Sequence, residues 1–451
     1  MANTQLSRTI GTATNGKKYT LSFWIKRSAL GVEQSIVGVD SANLIELIKF
    51  GSNDKLYWYN RDNAGNAAEN YTSNVFRDTS AWYHLVFSYD STEGSAANQK
   101  KLYINGVAQT WGSTAAIQAD AIAGTNFATK TFYFGREGGG TSYFLNGLMS
   151  HIHYIDGTVY TASNFGSTDS TTGEWKINTS PSVTYGNNGF FILKDSNSVT
   201  DQSGNSNNFT VAGGTLTNTE DCPSNNFANW NVLAPSGDNR TMGNGNTYIG
   251  SNSNNSWNCL YATLASSTGK FYCEIKDEED WGSTSDSTRR YGIVNLSANI
   301  NQNRASATDV RFSDNNYAYA YMNESGVRHS GSTISGTAST HPTFQKNDII
   351  MIAMDLDNNK LYFGKNGTWN NSANPASGST GTGSVADIAD GTWTFYAETK
   401  YGSDNCSANF GNGYHRTTAI SSEGTNASGI GKFEYDVPTG YTALSTKGLN
   451  L

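Results

Sequence analysis

Proline, cysteine and histidine are all scarce in this chain, at 6, 4 and 6 of 451 residues. So few cysteines exclude a disulfide-stapled scaffold. Cys222, Cys259, Cys273 and Cys406 form no C-x-x-C pair and no zinc spacing. They read as free thiols, with one bridge, such as Cys259 to Cys273, left open. Charged residues make up only 15% of the chain, too few for a series of amphipathic helices. No apolar run approaches the ~20 residues that span a bilayer. The opening residues Met1 to Gln5 lack the charged and apolar regions of a signal peptide, so synthesis in a cytoplasm without signal-directed export is expected. Acidic residues outnumber basic ones 38 to 30, a net charge of -8. That balance opposes a nucleic-acid partner, whose phosphates need a basic surface.

What is abundant is glycine (47), tyrosine (25) and phenylalanine (20), in a background of Asn, Ser and Thr. Such a composition makes short strands and turns, and the expected class is all-β. Residues 19–27 alternate strictly, with Tyr19, Leu21, Phe23 and Ile25 on one face. This is the pattern of a half-buried strand with Trp24 exposed or at an edge. Two long hairpins stand out. Tyr83 to Tyr89 and Lys101 to Ile104 end at Asn105-Gly106. Ile349 to Met354, the polar turn Asp357-Asn358-Asn359 and Leu361 to Phe363 end at Asn366-Gly367. Asn-Gly tolerates the positive φ of a type I′ turn, and Asx residues bond their own backbone in turns.

Several stretches carry family resemblances. Leu21 to Arg27, Trp82-Tyr83-His84-Leu85-Val86, Leu102 to Gly106, Phe144 to Gly147 and Ile155-Asp156-Gly157 resemble a laminin-G-type, concanavalin A-like domain over residues 1–178. The resemblance implies a two-sheet jelly roll. Gly269 to Ile275, Tyr291 to Val294, the second hairpin and Asn409-Phe410-Gly411 resemble a SPRY domain, again a β-sandwich, within residues 236–451. Residues 179–235 read as a short β connector that completes a neighbouring sandwich. The order of the three parts, with Thr184 to Val211 between the two domains, is similar to structural proteins of tailed phages of marine bacteria. That implies a virion component of tail-fibre or adhesin type that meets a host-surface glycan or protein receptor alongside other virion proteins, and by resemblance a homotrimer. No long docking or trunk segment is evident before the first sandwich. The alternative is a capsid or tail decoration protein.

Concanavalin A-like folds also host glycan hydrolases, whose chemistry requires paired carboxylates. The densest acidic run, Asp277-Glu278-Glu279-Asp280, reads as a solvated loop. Asp355 and Asp357 alternate on a strand, but turn chemistry explains the second. A depolymerase is therefore the minor hypothesis, and no enzyme is expected. The histidines are dispersed; only His151 and His153 share a strand face, and no third ligand is evident. No cofactor is expected, although loop Asp and Asn oxygens and the laminin-G resemblance allow calcium, with no ligands assigned. No G-x-S-x-G elbow occurs, and Gly138-Gly139-Gly140 leads to another strand instead of opening a phosphate-binding helix. Sugar faces pack on aromatic rings. The candidate ligand-binding residues are the aromatics read in polar turns: Tyr59, Trp111, Tyr143, Trp281 and Trp369.

Overall fold

Strands dominate, as the composition predicts. The structure, a computed structural model, describes residues 3–40, 45–140, 142–194, 196, 198–234, 240–251, 254–279, 288–298, 311–334, 339–401 and 404–451. The chain divides into two units, Met1–Asn218 and Thr219–Leu451.

In the first unit the strands are β1 (Gln5–Thr9), β2 (Lys18–Arg27), β3 (Gln34–Asp40), β4 (Ile45–Phe50), β5 (Lys55–Arg61), β6 (Ala67–Val75), β7 (Tyr83–Asp90) and β8 (Lys100–Ile104). They continue with β9 (Val107–Gln109), β10 (Trp111–Ser113), β11 (Thr131–Phe134), β12 (Gly147–Asp156), β13 (Gly166–Thr168), β14 (Trp175–Ile177), β15 (Phe190–Ile192) and β16 (Thr210–Gly213). An eight-stranded antiparallel sheet runs β10-β6-β5-β4-β3-β11-β1-β16, and a six-stranded one runs β15-β12-β2-β7-β8-β9. Their facing sides close one core that includes Tyr19, Phe23, Ile48, Trp58, Phe87, Phe132, Tyr154 and Phe190. Asn105 at φ +46° and Gly106 at φ +83° make the turn between β8 and β9, as Asn-Gly chemistry requires. One helical turn, Ala96–Gln99, sits in the loop before β8.

Trp24 departs from expectation. It is 4% exposed because the outer face of the six-stranded sheet carries a second layer. Phe165, Ala162, Tyr160, Trp175 and Tyr185 pack there against Val86 and Ile155. The Trp24 ring stacks on His84 at 4.8 Å, and His84 in turn faces Trp175 at 5.9 Å. The strand alternation around His151 also breaks. The β2–β12 register shifts between Ser150 and His153, and His151 sits at φ +48°.

The second unit holds β17 (Arg240–Gly243), β18 (Tyr248–Ser251), β19 (Asn254–Tyr261), β20 (Lys270–Glu279), β21 (Arg289–Asn295), β22 (Ala318–Met322), β23 (Val327–His329) and β24 (Ser332–Thr333). After these come β25 (Ile349–Asp355), β26 (Lys360–Lys365), β27 (Thr368–Trp369), β28 (Ala386–Asp387), β29 (Trp393–Tyr401) and β30 (Asn405–Asn409). One sheet is ordered β17-β18-β30-β20-β25-β26-β27, the other β19-β29-β21-β22-β23-β24. Phe271, Ile275, Ile293, Ile352, Phe363, Phe395 and Phe410 fill the space between them. Both outer faces are covered. Phe433, Val437 and Tyr441 lie on Tyr272, Met351 and Tyr362, and Phe312 lies among Val294, Ala320 and Tyr396.

Residues 179–235, read as a connector, are shared between the units. β15 and β16 pair with β12 and β1 in the first, while Phe227 and Trp230 are buried in the second. The acidic run is not a solvated loop. β20 continues as far as Glu279, and Asp277 is fully buried, 2.8 Å from Arg289 Nε; Asp280 lies outside the described residues. All four cysteines are free, so the Cys259–Cys273 bridge is not formed. Burial raises the thiol pKa of Cys259, Cys273 and Cys406.

Candidate functional site: an uncovered tyrosine face

Burial alternates cleanly along β4 and β5. Ile48, Phe50, Leu56 and Trp58 enter the core, which turns Leu47, Lys49, Lys55, Tyr57, Tyr59 and Arg61 outward as half-buried side chains. Register then aligns them across strands. Glu69, Tyr59, Leu47, Gly38 and Tyr133 form one cross-strand row, and Tyr71, Tyr57 and Lys49 the next. Of the four outer sheet faces, this one alone carries no second hydrophobic cluster among the described residues.

Its side chains hold one another in place. The Tyr57 and Tyr71 rings lie 5.4 Å apart, and Asn53 Nδ2 donates to Tyr57 Oη at 2.9 Å. Lys55 Nζ sits 5.1 Å over the Tyr71 ring, Lys49 Nζ 6.0 Å over Tyr57, and the Arg136 guanidinium 4.6 Å over Tyr133. Lys49 also pairs with Glu33. Gly38 permits the close approach of the 136–138 segment, since a Cβ there would lie 2.5 Å from the Gly138 backbone nitrogen. A dent of about 10 Å³, room for roughly one water, opens where Ile45 and Arg61 meet residues 117–124.

Of the four sequence-read aromatics among the described residues, Tyr59 alone lies on this face. Trp111 is 8% exposed, and its indole N–H donates to the Lys100 carbonyl at 2.7 Å. It pairs with Thr72 across β10–β6 and points into the core, so its ring offers no surface to a ligand. Tyr143 is 47% exposed in a loop at φ +56°. Trp369 is half-buried beneath the layer over Tyr272, at 6.2 Å. Trp281 lies outside the described residues. Tyr57, Tyr71 and Tyr133 were missed. The signal for the first was the alternation of Lys55, Tyr57, Tyr59 and Arg61 with Leu56 and Trp58.

The buried polar groups are spent on the fold. Glu46 accepts from Tyr19 Oη at 2.6 Å, Trp58 Nε1 at 2.8 Å and the Gly124 amide at 3.0 Å, and burial raises its pKa. Burial pushes the Lys100 ammonium down to about 7; it donates to the Trp58 carbonyl and Asn60 Oδ1 at 2.9 and 2.8 Å. Glu274 is pushed up to about 7, again by burial. It accepts from the Glu434 and Tyr435 amides at 2.9 and 2.8 Å, from Tyr272 Oη at 3.0 Å and from Asn409 Nδ2 at 3.2 Å. Asp355 binds Lys270 at 2.9 Å and the Asn358 turn, and Asp357 accepts from the Gly269 amide at 2.7 Å. Both are structural acceptors.

Ser22 Oγ and His84 Nε2 are 2.9 Å apart, the spacing of a nucleophile and its base. The tautomer forbids that role. Trp175 Nε1–H only donates, and it reaches His84 Nδ1 at 2.9 Å. Nδ1 therefore accepts, Nε2 carries the proton, and His84 donates to Ser22. Burial holds its pKa down to about 3. Among the described residues no group of three His, Cys, Asp or Glu side chains is placed to hold a metal. Loop carboxylates such as Asp62 and Asp201 accept backbone N–H groups.

Residues 3–163 match a family model described as the concanavalin A-like lectin/glucanases superfamily. No curated protein matches the chain. Among solved structures, the chain is similar to the SPRY domain of human HERC1, at 15% identity and TM-score 0.28, over 38% of this chain and 91% of that one. It is also similar to a native heptameric SAP-like pentraxin from Limulus polyphemus, at 17% identity and TM-score 0.27, over 36% of this chain and 73% of the other. Likenesses at these scores carry no argument about function.

Proposed function

We propose that this chain is a binding protein with no catalytic step, a virion component of tail-fibre or adhesin type that attaches to a host-surface glycan through the outer face of the eight-stranded sheet. The observation that carries the glycan reading is the bare tyrosine face itself, on the unit that matches a lectin and glucanase superfamily. Large amphipathic rings offer an apolar plane and a hydroxyl together, the combination a sugar requires. The virion assignment rests on the order of the sequence motifs, as does the SPRY-like reading of the second unit. Display of several copies, as in a homotrimer, would amplify a weak single site.

The test is a glycan array probed with the purified protein. An aromatic face contact contributes about 0.5–1.5 kcal/mol beyond its buried area, so Tyr59→Ala is expected to weaken binding about 2- to 12-fold at unchanged thermal stability. Binding that is indifferent to Tyr59 and Tyr57 sinks this face as the site. Release of reducing ends from a bound glycan would establish a depolymerase instead. Antibody labelling of virions places the protein on tail or capsid.

A further inference from the structure

Resting on that reading of the face, we infer that its ligand is an acidic polysaccharide, laid across the strands with sugar rings over Tyr59 and Leu47 and its carboxylate or sulfate groups on Lys55 and Arg136. Three of the four rings already carry a cation. An ammonium lies over Tyr71, another over Tyr57 and a guanidinium over Tyr133. A sugar cannot stack on a ring side that a cation occupies. Tyr59, by contrast, has no ring or cation partner among the described residues. The face therefore offers one free ring, flanked by cations held in place by their aromatic seats.

Those cations differ from several paired ones, although Arg8, Lys101 and Lys130 are likewise without a carboxylate within ion-pair distance among the described residues. With 38 acidic residues against 30 basic ones, carboxylates are in surplus, and Lys17, Lys18, Lys49, Arg77, Lys176 and Lys360 each pair with one. Lys55 and Arg136 do not. Lys55 turns to the Tyr71 ring, while Arg136 donates to Gln5 Oε1 and to the Glu137 and Gly138 carbonyls. Neither has a carboxylate within ion-pair distance among the described residues. Glu69 is the cross-strand neighbour of Tyr59 and Glu137 follows Arg136 in the chain, so the face is mixed in charge, and attraction is local to Lys55 and Arg136. Tyr71 and Tyr133 stand on β6 and β11, four strand spacings apart in the sheet, or about 19 Å. The 136–138 segment lies over Gly38 within that span, so the open part of the platform is Tyr59 and Leu47, and a polymer longer than a single sugar meets Arg136 where that segment begins.

The test compares chemically matched probes. Polygalacturonate, hyaluronan and dextran sulfate are titrated against the full-length protein beside methyl-esterified polygalacturonate and dextran. At least one polyanion is expected to bind more tightly than the neutral polymers, and to weaken as salt is raised. Lys55→Gln with Arg136→Gln is expected to lower that affinity about tenfold or more while leaving dextran binding unchanged, and Lys55→Gln alone, which removes no side-chain hydrogen bond, is expected to weaken the polyanion at an unchanged melting temperature. Esterified and free polygalacturonate binding alike, with both sensitive to Tyr59→Ala, would overturn the acidic preference and keep the platform. Failure of every polyanion to bind overturns the inference. A polyanion whose binding ignores both the cation pair and Tyr59 overturns the inference and the platform together.

Discussion

At the scale of single residues, polar side chains here mostly act by being buried with their donors and acceptors matched. His84 shows it most plainly. The sequence presents it inside an apolar strand, and nothing local says which nitrogen bears the proton. That follows from a tryptophan ninety-one positions away. Because burial holds its pKa at about 3, against an ordinary 6.5, the folded state binds the proton more weakly than the unfolded state. Its contribution to stability is complete above about pH 6.5 and is lost as pH falls toward 3. His153, also buried and shifted down, acts in the same direction. Urea denaturation between pH 6.5 and 4 is expected to lose up to about 1.4 kcal/mol per pH unit for each histidine. In His84→Gln that slope should fall by about one histidine's share; an unchanged slope would place the proton elsewhere. Asp277 belongs to the same lesson. Within a run of four acids it looks solvated, yet the Arg289 side chain against it is fully buried too.

Elements were the most legible level. Both Asn-Gly turns are where the sequence put them, at φ +46° and +83° for Asn105 and Gly106, and +51° and +82° for Asn366 and Gly367. The requirement is local, since only certain residues tolerate that backbone. What is not local is the second constraint on Gly106, whose Cβ would lie 2.4 Å from the Trp175 ring. Gly106→Ala is therefore expected to cost about 1–3 kcal/mol, from positive φ and steric displacement together. Gly31→Ala, at φ +69° with open space around it, should cost less. Chemical denaturation of the two variants compares them directly, and equal losses would remove Trp175 from the account. The tyrosine face was half visible. The alternation along β5 is legible in the sequence, but Tyr71 lies in β6, a segment rich in Ala, Glu, Asn and Ser with little strand-like apolar content. Its conformation is imposed by pairing with β5.

For the whole molecule, the two units follow from two separate cores. Residues 179–218 close the first by adding Phe190, Ile192 and Phe209 to its interior and pairing with β12 and β1. A fragment of residues 1–218 is expected to melt cooperatively. One of residues 1–178 should lose several kcal/mol, because each buried large side chain contributes about 1.5–3 kcal/mol and two sheet edges open. Equal melting temperatures by circular dichroism would show that the segment is dispensable. Composition and alternation by themselves determined the all-β class, most strands and the Asn-Gly hairpins, because these depend on backbone preferences and on a period of two. The tertiary structure alone decided which outer faces stay bare. A strand's sequence separates its two sides, but whether the outer one is covered depends on segments such as Phe165 over β7 or Phe433 over β20, far along the chain. Trp24 was thereby buried and Tyr59 left open, though both occupy the outward side of an alternating strand.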